Sequence, residues 1–193
     1  MELHVGLDLG QSQDYTALVL LEQTDVASVR YLCRWPLGTS YPVIVNDVQG
    51  IMESLPQDAT RHVLAIDQTG VGAPIVELFR QAPHKYRIRA VHITGGSAVS
   101  HDGGITYVPK RDLVAAVAVA LQTRTLKVDS SLKHADTLRD ELLNFKVTFT
   151  ASGHDSYGAG ADWRVGNHDD LVLALAIALW SATHRRVIEI TLV

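Results

Sequence analysis

Cysteine is almost missing from this chain. The only one in 193 residues is Cys33, so neither an internal disulfide nor a cysteine-built zinc cage can form. The expected role of Cys33 is that of a small core residue on a strand. Long apolar runs are missing as well. No stretch approaches the roughly 18 uninterrupted apolar residues of a membrane helix, and no basic segment leads into an apolar stretch and a small-residue cleavage site at the N-terminus. The expected class is a soluble, intracellular protein. There is no surplus of positive charge: 17 Lys and Arg stand against 21 Asp and Glu, giving a net charge of −4. Bulk charge therefore does not announce a nucleic-acid binder, although a local basic patch suffices for binding, and a carboxylate-built metal site adds negative charge that bound cations offset. The phosphate loop G-x-x-x-x-G-K-[ST] is absent, as are internal repeats and low-complexity linkers.

What is present is enough apolar residue, 47% of the chain, for one sizeable core, so residues 1–193 are expected to form a single domain. Segments rich in Val, Leu and Tyr predict strands over Leu3–Leu9, Tyr15–Glu22 and Val29–Trp35, joined as an antiparallel meander. Helical spacing of Val45, Val48, Ile51, Met52 and Leu55 predicts an amphipathic helix over Tyr41–Leu55. "HVLAID" (His62–Asp67) is a short, nearly all-apolar strand, as expected where both faces are covered. A glycine turn and a helix ending near Gln81 follow, then a strand over Tyr86–Ile93 reached by a right-handed crossover. Beyond a glycine-rich loop, Gly95–Gly104, come a short extended piece and a helix from about Pro109. A further helix is expected over Leu132–Leu143 and an extended segment over Phe145–Thr150. The glycine-rich loop Ser152–Asn167 leads into a last helix, His168 to about His184, apolar almost all round and so buried. Residues 184–193 form a strand-like tail without an evident place in the core. The resulting class is α/β: a mixed sheet, meander plus parallel strands, flanked by helices.

Within this layout three acidic positions fall at element ends. Asp8 sits in "HVGLDLGQSQDYTALVLL", near the end of an apolar strand, where an unpaired carboxylate is costly. Asp67 closes "HVLAID", and Asp169 with Asp170 opens the last helix. Parallel strands bring their C-terminal ends to one edge, where open α/β sheets place their sites, so Asp8 and Asp67 are expected to be neighbours. Taken singly, Asp67, Asp169 and Asp170 are equally compatible with capping and with the helix dipole. Taken together, converging carboxylates raise one another's pKa values unless a cation lies between them. Hard divalent ions such as Mg²⁺ and Mn²⁺ accept such oxygen ligands, and two of them about 4 Å apart can activate water and stabilise a leaving oxygen.

Four stretches, "GLDLGQSQDYTALVLL", "LAIDQTGVGAPIVELF", "YVPKRDLVAAVAVALQ" and "GNHDDLVLALAIALW", resemble in this order the nuclease domain of phage terminase large subunits, which has the RNase H-like (RuvC-like) fold. The resemblance runs from about Leu3 to Trp180. It implies a metal-dependent endonuclease that cuts double-stranded DNA during genome packaging in the cytoplasm of a bacterial host, with two Mg²⁺ or Mn²⁺ ions as cofactors. By position it makes Asp8 the ligand shared by both metals, Asp67 the second-strand acid, and Asp170, with Asp169 beside it, the helix acid. Asp14 falls at an acidic position of some terminases and is a candidate to help place a metal; a turn aspartate is the plainer reading. A full terminase carries an N-terminal ATPase motor, and no phosphate loop occurs in these residues, so the expectation is either an excised nuclease domain or a stand-alone product whose motor is missing or separate. A packaging ATPase, a small terminase subunit or a portal are the partners the resemblance implies, and no membrane is implied. The alternatives are a RuvC-type junction resolvase, an inactive RNase H-like binding module, and an actin-like phosphotransferase suggested by "DLG" before a polar turn.

Candidate DNA contacts are Lys110, Arg111, Lys146 and Arg164, with Arg124 and Lys127 as further cations; solvated surface charge is the alternative for each. His168 stands where it can orient a carboxylate or simply enter the helix. Gly70 and Gly72 are expected to let the backbone turn tightly after Asp67. Trp163 and Tyr157 either touch DNA or pack within their own loop.

Overall fold

The computed structural model describes residues 1–10, 13–145 and 169–184. Strands β1 (Glu2–Asp8), β2 (Ala17–Gln23) and β3 (Ala27–Arg34) form the expected meander. Helix α1 (Tyr41–Ser54) leads to β4 (Arg61–Asp67), α2 (Gly72–Gln81) and β5 (Arg87–Thr94). A hairpin of β6 (Ser100–Asp102) and β7 (Ile105–Pro109) precedes α3 (Lys110–Gln122) and β8 (Leu126–Val128), and α4 (Ala135–Asn144) and α5 (Asp170–Thr183) complete the described elements. The strands make one mixed sheet in the order β6-β7-β5-β4-β1-β2-β3-β8. Strands β1, β4, β5 and β7 run parallel as neighbours.

Alternation along the central strands divides the core into two layers. Leu3, Val5 and Leu7 of β1 and Leu64 and Ile66 of β4 pack with Val48 and Met52 of α1 and Ile75 and Phe79 of α2. Ala65, Val91 and Val108 face the other way, onto a layer that holds α5, Leu113 and Val117 of α3, and Leu138 of α4. Because α5 lies between the sheet and the other two helices, its residues are buried from Asp170 to Ala182 save Leu173, which explains a sequence apolar on every side. Each fully buried large side chain there, such as Leu171 or Leu175, contributes about 1.5–3 kcal/mol.

The third residue type on the α5 side of β1 is glycine, and the reason is steric. A Cβ on Gly6 would lie 2.1 Å from the Ala174 carbonyl oxygen and 2.8 Å from the Ala178 amide nitrogen. One turn further along the helix, Ser181 Oγ meets His4 Nδ1 at 3.1 Å. These contacts set α5 antiparallel to β1, so the start of the helix arrives at the C-terminal end of the strand.

Three features depart from the sequence expectation. The loop expected over Gly95–Gly104 contains β6, whose three exposed residues carry no apolar alternation to reveal it. Strand β8, Leu-Lys-Val beside β3, does alternate, but three residues are too few to mark it. The helix expected from Leu132 begins at Ala135, because His134 takes a left-handed backbone with φ 71°, which no right-handed helix can pass through. The extended segment beyond Phe145, the loop 152–167 and the tail beyond His184 lie outside the described residues.

Candidate active site

Register, rather than proximity in sequence, brings the first two acids together. In the parallel pair of β1 and β4, Gly6 lies beside Ala65 and Leu7 beside Ile66, so the next residues along each strand are Asp8 and Asp67. Alternation turns both toward the layer that holds α5. Asp67 is buried, and Asp8 is partly so. The turn after Asp67 is tight: Gly70 has φ 69°, and a Cβ on Gly72 would approach the Asp67 carbonyl oxygen to 2.3 Å. Thr69 donates its backbone N–H to Asp67 Oδ1 at 2.8 Å, and its hydroxyl oxygen accepts the Ile93 amide at 2.9 Å, tying the turn to β5.

The second pair enters from α5, whose first residue is Asp170, with Asp169 just before it. No side chain of its own N-cap caps this helix. Glu141 of α4 does so from outside, its Oε2 accepting the amides of Leu171 at 2.9 Å and Val172 at 3.1 Å. Arg34, at the end of β3, donates from Nη2 to Asp170 Oδ2 at 3.0 Å and brings Nη1 to 3.8 Å from Glu141 Oε1. Its guanidinium lies over the Tyr15 ring, 3.7 Å from the centroid. Sequence reasoning missed both residues. Glu141 had left a trace, falling three residues after the buried Leu138 on the apolar face of α4. Arg34 left none, since a strand-end arginine is ordinarily solvated.

The electrostatics record the convergence. Burial first, and then the charges of Asp67, Asp170, Asp169 and Asp14, hold the Asp8 carboxyl well above the usual carboxylate range. Burial also raises Asp67, against the opposing pull of its hydrogen bond from Thr69 and of His92 and Lys110. Glu141 is pushed up to about 7 by burial, although the helix amides and Arg34 favour its charged form. Carboxylates crowded in this way suit hard cations, since a bound cation takes the place of the protons that repulsion retains. Among the described residues no group of three or more His, Cys, Asp or Glu side chains is drawn in closely enough to cage an ion. Asp170 is turned to Arg34, and one oxygen of Asp67 is turned to Thr69.

The remaining sequence candidates divide. Lys110 opens α3 close enough to Asp67 for its charge to be felt there, and Asp14 acts on Asp8 from the β1–β2 turn. Arg111 bonds to the Ser97 carbonyl and lies 3.5 Å from Asp112, so its guanidinium is already engaged. Arg124 and Lys127 stand apart from the acids: Thr125 and Lys127 lie beside the first residues of β3, Ala27 and Ser28, at the opposite end of the sheet. Strand rise puts that end about 20 Å away. Cys33 is half-buried on β3, with its thiol pushed up by burial. Lys146, Arg164, His168, Tyr157 and Trp163 lie outside the described residues.

Residues 5–182 match the family model of the terminase RNaseH-like domain. The chain belongs to this family. Among solved structures, this terminase-family chain is similar to the large terminase nuclease from thermophilic phage G20c, with 25% identity and a TM-score of 0.58 over 91% of this chain and 80% of that one. It is also similar in fold to the large terminase nuclease domain of bacteriophage SPP1, solved with bound Mn, at 13% identity and a TM-score of 0.55 over 92% of this chain and 85% of that one. No curated protein gives a significant match. The mixed sheet with flanking helices is thus the RNase H-like fold, and the relatives are phage terminase nucleases.

Proposed function

We propose that this terminase-family chain is an endonuclease that hydrolyses phosphodiester bonds of double-stranded DNA with two divalent cations, Mg²⁺ or Mn²⁺. The observation that carries the reading is the meeting of Asp8 and Asp67 on one face of adjacent parallel strands, with Asp169 and Asp170 delivered to the same strand end by α5. Asp8, Asp67, Asp170 and Asp169 are the proposed metal ligands and catalytic residues, and Asp14 is a further acid at the rim. The donor set fits the cations: every group is a carboxylate, the oxygen chemistry that hard ions select. The SPP1 relative, solved with Mn, supports the same choice. When bound, the ions supply Lewis-acid activation of water and of the phosphoryl oxygen.

The chain's own part is to place charge. Strands β1 and β4 hold two carboxylates on a rigid sheet, so their geometry does not depend on loop order. Helix α5, pressed onto Gly6, brings its acids to the same end. Lys110 stands beside Asp67, where an ammonium can meet a DNA phosphate without reading sequence. Lys146, Arg164 and His168 extend this proposal, the first two as phosphate contacts and the last as an orienting group beside Asp169. In packaging, the nuclease works with an ATPase motor, a small terminase subunit and a portal in the cytoplasm of a bacterial host, and residues 1–193 act as one nuclease unit. The test is plasmid cleavage at low salt with Mn²⁺, Mg²⁺ or EDTA, comparing wild type with Asp8→Ala and Asp67→Ala. Metal-dependent cleavage lost in both variants is expected; cleavage that persists in EDTA, or in both variants, overturns the proposal.

A further inference from the structure

We infer that Arg34, braced by Glu141, is the positioning residue for Asp170: its guanidinium bridges two carboxylates on different helices and so sets where the first turn of α5 presents its acids. The inference rests on the proposed metal site and names a residue outside its ligand set.

The observations are geometric. Three elements distant in sequence, β3, α4 and α5, share the apolar core through Leu32, Leu138 and Leu171, and at its edge their polar groups Arg34, Glu141 and Asp170 meet. Glu141 fills the role of an N-cap from another helix, accepting two amides of the first turn through one oxygen, while its other oxygen faces Arg34. Arg34 hydrogen-bonds Asp170 and faces Glu141 Oε1 as an ion pair at 3.8 Å, too long for a hydrogen bond, while Tyr15 covers the face of the guanidinium. The three charged side chains expose only 14%, 6% and 7% of their surfaces for Arg34, Glu141 and Asp170.

Buried ion networks of this kind are poor sources of stability, because desolvation offsets most of the Coulomb attraction. What such a network supplies is one defined geometry. A planar fork suits the task, since two nitrogens in fixed relation can meet two carboxylates at once, which a single ammonium cannot do. The helix start takes its cap from Glu141 and not from the side chain of its own N-cap residue, so the same glutamate holds both the first turn of α5 and the guanidinium that meets Asp170.

The sign of one measurement separates positioning from simple charge. Removing a cation beside a divalent-metal site tightens metal binding if charge is all that Arg34 contributes. If Arg34 positions Asp170, its loss weakens binding, because the ligand must be ordered at the moment the ion arrives. The experiment is Mn²⁺ titration of the DNA-free protein by calorimetry, with cleavage kinetics and thermal unfolding on the same samples, for wild type, Arg34→Ala and Arg34→Lys. Positioning predicts a loss of Mn²⁺ affinity of about tenfold or more in Arg34→Ala. It also predicts a lower kcat at saturating Mn²⁺, KM for DNA within about twofold, and little recovery in Arg34→Lys.

Unchanged or tighter Mn²⁺ binding in folded Arg34→Ala overturns the inference while leaving the metal site standing. A raised KM with kcat and Mn²⁺ affinity intact also overturns it, making Arg34 a DNA contact. If Arg34→Ala does not fold, Glu141→Gln carries the test, because it keeps an oxygen for the helix amides and replaces the oxygen that faces Arg34 by an NH2 group, which cannot pair with a guanidinium; the same weakening is expected, and unchanged affinity refutes the brace. Wild type that binds no Mn²⁺ refutes the metal site itself, and the positioning role with it.

Discussion

Asp8 is costly to the fold and needed by the proposed chemistry. Partly buried and facing the charges of four other acids, it holds its proton more tightly in the folded protein than in the unfolded chain. Stability therefore falls as pH rises from the ordinary carboxylate range through the raised value, and the penalty is complete above it. Asp8→Asn removes the charge and keeps the shape, so at neutral pH in EDTA it is expected to melt a few degrees above wild type. The same variant is expected to lose metal-dependent cleavage by at least about a thousandfold, since an amide is a poor ligand for a hard cation. Differential scanning calorimetry with plasmid cleavage checks both; a destabilised, active Asp8→Asn sinks the reading. The candidate acids were legible in the sequence because each stands at an element end among apolar neighbours. Glu141 and Arg34 were not, because their meaning lies in partners 30 and 136 residues away.

At the scale of elements, the decisive contact is α5 against β1. At Gly6 the helix backbone leaves no room for a Cβ, and both atoms that one would strike, the Ala174 carbonyl oxygen and the Ala178 amide nitrogen, are main-chain. Gly6→Ala is expected to destabilise the protein by about 3 kcal/mol, because neither sheet nor helix backbone can yield cheaply. Since any relaxation lifts α5 from the sheet, the folded fraction should also lose Mn²⁺ affinity. Urea unfolding with metal titration tests the pair, and a silent Gly6→Ala would contradict the packing. That α5 is buried was readable from "LVLALAIALW", apolar on all sides. Its direction across β1 was not, for a helix apolar all round has no stripe to orient it. The short strands β6 and β8 escaped because strand pairing at a sheet edge asks little of the side chains.

For the whole molecule, the end of the sheet away from the acids carries a pH response. His4 is buried against Ser181, and burial lowers its pKa, outweighing the bond to Glu2. Arg89 and Arg61 push in the same direction as burial. The unfolded chain then takes up a proton that the folded protein refuses, so stability is full above about pH 6.5 and declines as the pH falls through that value toward the lowered one. His4→Gln should flatten the dependence of Tm on pH between about 7 and 5.5 without altering metal-dependent cleavage at neutral pH; an unchanged slope assigns the acid sensitivity elsewhere. Metal gives a second molecular readout. Because a ligand that binds only the folded state stabilises it, Mn²⁺ is expected to raise the Tm of wild type and not that of Asp8→Asn. Equal shifts in both proteins point to binding elsewhere.

The residues by themselves determined the element types, the meander followed by parallel strands, the buried last helix and the acids at strand and helix ends, because each is written in local periodicity and in the unfavourable placement of charge among apolar neighbours. Only the tertiary structure decided which acids meet and how. Parallel register placed Asp8 beside Asp67, and a missing Cβ at Gly6 let α5 carry Asp170 to the same edge. Long-range packing turned Arg34 and Glu141 inward and sent Arg124 and Lys127 to the far end of the sheet. The physical reason is that local sequence sets the shape and polarity of each element, whereas the positions of charges relative to one another depend on close packing between elements far apart in the chain.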